Sequence, residues 1–116
     1  MVQGDFSVTC GYHAVRTWIE AGCLPDAVFA SDDNTAFGIL DAAREYGIDV
    51  PGSLSIIGYD DHPYASLLHP GISTIRQPSE RIGSAAAELL MDLIEGRPAR
   101  TKITLKPFLI LRGTTK

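Results

Sequence analysis

A chain of 116 residues suffices for one small domain with a hydrophobic core. Its 45% hydrophobic and 21% charged residues fall in the globular range, and a net charge of −4 is the wrong sign for a segment that grips nucleic-acid phosphates by itself. No apolar run approaches the ~18 residues of a membrane span, and Met1-Val2-Gln3-Gly4-Asp5 has neither the basic nor the apolar region of a secretion signal.

In chain order, Val8, Tyr12, Val15 and Ile19 recur at helical spacing, with Gly22 as a stop. Ala27-Val28-Phe29-Ala30 is a short apolar run that reads as a buried strand. Ala36, Ile39, Leu40 and Ala43 mark a second helix closed by Gly47. Leu54 to Tyr59 reads as a second strand, and Ile72 to Ile75 as a shorter extended piece before Gln77-Pro78. Ile82, Ala86, Leu89, Leu90 and Leu93 form the clearest amphipathic stripe, ended by Gly96 and Pro98. Ile103, Leu105, Phe108 and Ile110 suggest a last extended stretch, from Ile103 to Leu111, weakened by Pro107. Helices alternating with apolar strands predict an α/β fold: part of a doubly wound, parallel sheet with helices on both faces. Two or three strong strands are fewer than a complete sheet of that kind usually has.

The chemistry concentrates at two strand ends. Ala27 to Ser31 runs into Asp32-Asp33, and Ile56 to Tyr59 runs into Asp60-Asp61. Ligands of open parallel sheets bind outside the carboxyl ends of the strands. Carboxylates there accept hydrogen bonds from the hydroxyls of a polyol. Two plainer roles stand beside this one. Asp is a favoured helix N-cap, a role expected chiefly of Asp33, and Asp61 suits a turn before Pro63. Four acids also suit Mg²⁺ and phosphoryl transfer, but no Gly-rich phosphate loop and no well-placed lysine accompany them. Metal and cofactor are therefore expected to be none.

His13, His62 and His69 pair with no nucleophile motif, so no catalytic triad and no enzyme is expected. Cys10 and Cys23 have neither CxxC nor metal-ligand spacing and read as idle thiols of a reducing cytosol. Phe6, after Gly4-Asp5, is either core or a platform for a sugar ring. Trp18 reads as packing.

Four segments carry a family resemblance. Gly4-Asp5-Phe6-Ser7 with Gly11-Tyr12 looks like the "GD-aromatic … G" helix entry of LacI/GalR-type transcription regulators. Pro25 to Asp33 with Ala36 and Gly38 resembles their "P-A-hydrophobic-A-N-D … A-G" segment. Val50-Pro51 through Ser55-Ile56-Ile57-Gly58-Tyr59-Asp60-Asp61 is similar to "VP … VS-hydrophobic-GYDD". Ser73-Thr74-Ile75-Arg76-Gln77-Pro78 is similar to "LTTIRQP", and Gly83 with Ala86 fits the helix after it. Together they cover essentially the whole chain.

The resemblance implies a partial lobe of the periplasmic-binding-protein type, the C-terminal part of an effector-binding and dimerisation domain. The DNA-binding headpiece and the N-terminal lobe are expected to lie outside residues 1–116. By position, Phe6, Asp32 and Asp60 are expected to contact the effector, a sugar or related small molecule. Asp33 and Asp61 are expected as helix cap or supporting residues. Val8, Tyr12, Tyr64, Leu67 and Leu68 are expected at a homodimer interface. The segment near Gln77-Pro78 is expected to cross to the other lobe, the helix from about Pro78 to Glu95 to pack there, and Ile103 to Leu111 to return. Operator DNA is expected to be met only through the headpiece, in the cytoplasm and with no membrane. One departure stands out: the family often has Asn where this chain has Asp32, and ionised Asp only accepts hydrogen bonds. A periplasmic sugar-binding protein of a transport system is the alternative, ranked second because the Thr74 to Pro78 segment is typical of the regulators and no export signal is seen.

Overall fold

The computed structural model describes residues 3–98 and 102–116. Its elements are helix α1 (Val8–Glu20), strand β1 (Ala27–Phe29), helix α2 (Asp33–Glu45), strand β2 (Ser55–Tyr59), a 3₁₀ turn (Pro63–Ser66), strand β3 (Ser73–Arg76), helix α3 (Ser79–Ile94) and strand β4 (Phe108–Ile110). The four strands form one sheet in the order β1-β2-β3-β4, with β1 and β3 both parallel to β2. The α/β class with a parallel sheet is therefore as expected. The predicted last stretch shrinks to three residues, all beyond Pro107, which cannot donate to a ladder.

The chain divides into two compact units. The first comprises the residues up to Arg76 together with Leu109–Lys116, and the second comprises Gln77–Phe108. In the first unit, Val15, Ile39, Leu40, Leu54, Ile56 and Ile72 form the core. The pleat sorts β2: Ile56 and Gly58 are buried toward α2, whereas Ile57 and Tyr59 are half-buried on the opposite face. On that opposite face Phe29 remains 63% exposed, so within this unit helical cover is seen on one face.

Helix α1 lies on α2 at unusually close range. A Cβ built on Gly11 would stand 2.1 Å from the Thr35 carbonyl oxygen, and one on Gly38 would stand 1.8 Å from that of Val8. Hence the glycines of two of the sequence motifs are where the two backbones touch. The helix starts are set by side-chain caps. Ser7 Oγ accepts from the Cys10 N–H (3.0 Å), and Asp5 in turn accepts from the Ser7 hydroxyl (2.6 Å) and N–H (3.1 Å).

In the second unit, α3 has no buried residue; Leu90, Met91, Leu93 and Ile94 are all exposed. Leaving Leu or Ile in water forgoes about 1.5–3 kcal/mol per side chain. The chain is expected to self-associate on light scattering at tens of micromolar. A stable monomer there would refute the idea that this stripe seeks a partner.

Candidate functional site

Parallel pairing of β1 with β2 brings the two acid pairs to the same edge of the sheet, outside the strands' carboxyl ends. Their four carboxylates have distinct surroundings. Asp32, not Asp33, is the N-cap of α2: its backbone is extended (φ −156°, ψ 175°) and its Oδ1 accepts from the Thr35 N–H at 2.9 Å. The expectation that Asp33 caps the helix is corrected, because Asp33 is already helical and its side chain turns inward. Asp33 is buried. Its Oδ1 accepts from the Thr74 hydroxyl (2.6 Å), and its Oδ2 accepts from the His62 N–H (2.6 Å). Gly58 makes room for it, since a Cβ there would fall 2.1 Å from Asp33 Oδ1. Burial pushes the Asp33 carboxyl up, the bonds from Thr74 and His62 oppose this, and Asp61 and Asp60 add to it.

Asp60 is exposed, and its N–H donates to the Ile75 carbonyl at 2.9 Å. Asp61 points back into the protein, its side chain only 8% exposed. Its Oδ1 accepts from Arg112 (2.6 Å), and its Oδ2 accepts from Arg76 (2.5 Å). Burial pushes this carboxyl up, but the hydrogen bonds and charges of Arg112 and Arg76 outweigh it and hold it below the usual range. Asp61 starts no turn by itself; His62 caps the 3₁₀ turn through Nδ1, which accepts from the Tyr64 N–H at 3.4 Å.

A carboxyl with a depressed pKa stabilises the fold above its unfolded pKa and loses that contribution as pH falls through the folded value. Asp61→Asn is therefore expected to flatten the acid limb of the stability-versus-pH curve below about pH 4. Denaturation midpoints at stepped pH will show it. Parallel limbs for wild type and variant would count against the pairing.

The backbone singles out two of these acids together with Phe6. Among the described residues, the non-glycine positions with positive φ are Phe6 (64°), Asp60 (97°) and Asp61 (53°). A left-handed Phe is disfavoured, and such strained residues cluster where ligands are held. Phe6 is 62% exposed. It lines a cavity of about 580 Å³ with Cys10, Trp18, Phe29, Ser31 and Thr35, but neither Asp32 nor Asp60 lines that cavity. Sequence reasoning missed Phe29 and Tyr59, which meet edge to face at 6.4 Å beside the acid pairs. The period-2 alternation along β1 and β2 was the signal available for them.

Of the residues expected at a dimer interface, Val8, Tyr64, Leu67 and Leu68 line one cavity of about 400 Å³ with Phe37, His62 and Ile72. Leu67 is 71% exposed. Tyr12 is not on that lining; it packs partly buried against the core, 6.4 Å from the Tyr46 ring. Among the described residues no group of three His, Cys, Asp or Glu is placed to hold a metal ion, and no helix is long and apolar enough to cross a membrane.

The periplasmic binding protein-like domain model matches residues 2–115. The lactose operon repressor of Rhizobium radiobacter is 35% identical over 106 residues, covering 91% of this chain and 94% of that protein. The HTH-type transcriptional repressor PurR of Salmonella typhi is 38% identical over 113 residues, covering 97% of this chain but only 33% of the repressor. The lac repressor dimer bound to operator and the anti-inducer ONPF superposes with a TM-score of 0.90 at 29% identity, covering 97% of this chain and 39% of that one. A LacI-type transcription regulator from Bifidobacterium animalis subsp. lactis gives 0.87 at 27% identity, with 97% and 41% covered. The chain thus spans about a third of the PurR repressors and about two fifths of these solved chains. With four motifs in order, acid pairs at the strand ends and this agreement in sequence and fold, the chain belongs to the periplasmic-binding-protein-like domain family of the LacI/GalR-type transcription regulators.

Proposed function

We propose that this chain is the effector-sensing and dimerising segment of a DNA-binding transcription regulator, the C-terminal part of a domain whose other lobe and headpiece lie elsewhere in a longer protein. The observation that carries this reading is the left-handed backbone at Phe6, Asp60 and Asp61, since strain is retained where it presents groups to a ligand. Asp60, exposed at the strand end, accepts hydrogen bonds from a small polyol, a sugar being the class that fits best. Asp32 contributes a second carboxylate near the same edge, and Phe6 offers an apolar ring face. Occupancy biases the two-lobe domain between arrangements and so alters the grip of the headpieces on operator DNA. The groove lined by Val8, Tyr64, Leu67 and Leu68 receives the same surface of a second copy, as a two-fold dimer requires. The regulator works in the cytoplasm, where its operator is, and has no enzymatic activity.

Asp60→Ala in the longer regulator is expected to weaken effector binding by about 1.5–3 kcal/mol, the loss of hydrogen bonds to a charged group. Isothermal titration against a panel of mono- and disaccharides, lactose included, reads it. Unchanged affinity for a sugar that binds the wild type would remove Asp60 from the site.

A further inference from the structure

Asp61 is bound from both ends of one excursion of the chain. Arg76 is the last residue of the first unit before Gln77–Phe108 departs, and Arg112 follows three residues after Leu109, where the chain re-enters that unit. Both guanidiniums converge on one carboxylate, Arg112 on Oδ1 at 2.6 Å and Arg76 on Oδ2 at 2.5 Å. Arg112 is itself seated: its second guanidinium nitrogen donates to the Ile72 carbonyl (2.8 Å), and its N–H donates to Ser73 Oγ (2.8 Å). Beneath them, the Asp61 N–H faces Thr74 Oγ1 at 3.3 Å, Thr74 donates to the buried Asp33, and Asp33 accepts the His62 N–H. Every residue from Asp60 to His62 is thus pinned to β3, α2 or the C-terminal segment.

Two consecutive non-glycine residues in the left-handed region cost of order 1–3 kcal/mol each and persist only when their surroundings over-determine them. The bonds to Asp61 supply that constraint. Arginine suits the task because its planar fork donates in several fixed directions at once, which an ammonium cannot match. Such ion pairs add little net stability, and their best-attested use is to select one arrangement over others.

We propose that Arg112 and Arg76 are positioning residues: through Asp61 they hold the strained Asp60–Asp61 turn, and they tie this turn to the two chain ends between which Gln77–Phe108 runs. Occupation of Asp60 and the setting of those two ends are then coupled through one carboxylate. The ligand role of Asp60 is the reading proposed above, on which this coupling rests; the clamp itself is tested without any ligand.

The test is residue-resolved amide exchange by NMR on the 116-residue chain, comparing wild type with Arg112→Gln, Arg112→Lys, Arg76→Gln and Asp61→Asn. Arg112→Gln and Asp61→Asn are expected to speed exchange at the Asp60, His62 and Arg112 amides at least tenfold, with Ile39 and Leu40 in α2 unchanged. Arg112→Lys keeps the charge without the fork and restores part of the protection. Arg76 is half-exposed, so Arg76→Gln will fold even if a change at Arg112 does not, and it is expected to speed the Asp60 and His62 amides severalfold. Exchange at these amides that stays at the wild-type rate, or that rises equally in α2, would overturn the clamp. A failed sugar titration with these amides responding would instead overturn the effector reading and leave the clamp standing.

Discussion

Gly38→Ala is expected to destabilise the first unit by roughly 3 kcal/mol or more. The added Cβ would stand 1.8 Å from the Val8 carbonyl oxygen on the facing helix. The atoms that meet it, the Val8 carbonyl and the Tyr12 backbone nitrogen, are all backbone, so no rotamer change relieves the clash; α1 must move off α2. That movement opens the core at Val15, Ile39 and Leu40. Against this, the usual gain of Ala over Gly inside a helix is only about 1 kcal/mol. Gly83 in α3 is the internal control, since nothing lies within 4 Å of its virtual Cβ and its Ala variant will show the helix preference alone. Urea denaturation should show a lowered midpoint with an unchanged slope. A midpoint for Gly38→Ala equal to wild type would show that α1 and α2 can separate at Gly38 without cost.

Asp33→Ala should cost about 2–4 kcal/mol. It removes the acceptor of two hydrogen bonds and strands the buried Thr74 hydroxyl and the His62 N–H. Asp33→Asn should cost less, because its carbonyl oxygen still accepts from Thr74 while its NH₂ opposes the His62 N–H. The pH dependence runs opposite to that of Asp61. Burial raises the Asp33 pKa in the folded state, so its contribution is fully present below the unfolded pKa and declines as pH rises through the folded one. The gap between wild type and Asp33→Ala is therefore expected to be widest below about pH 4 and to narrow toward neutrality. Denaturation series at acid and neutral pH decide it. A gap that widens with pH would mean that charged hydrogen bonds outweigh desolvation at this site.

Elements are legible in the sequence where periodicity is strong. Three helices and the two central strands lie within a residue or two of their expected bounds. Neighbouring residues of the same type are not told apart by it. Asp32 and Asp33 are chemically identical, and which one caps α2 depends on whose backbone is still extended when the helix begins. Ser7, which caps α1, carries a signal legible in the sequence, a Ser directly before the apolar periodic residues.

The sequence by itself determined the α/β class, the parallel strands, the acid pairs at their carboxyl ends and the family, because each rests on patterns local to a few residues or on motifs in order. The tertiary structure alone decided which acid does what. Asp61 turns inward because Arg112, 51 residues away in the chain, waits there with Arg76; Asp33 is buried because Gly58 leaves space and Thr74 supplies a donor. Nor could side-chain chemistry foretell a left-handed Phe6, a conformation that its own Cβ disfavours. Local preference sets elements, whereas charge placement and strain are settled by contacts between residues far apart in the chain.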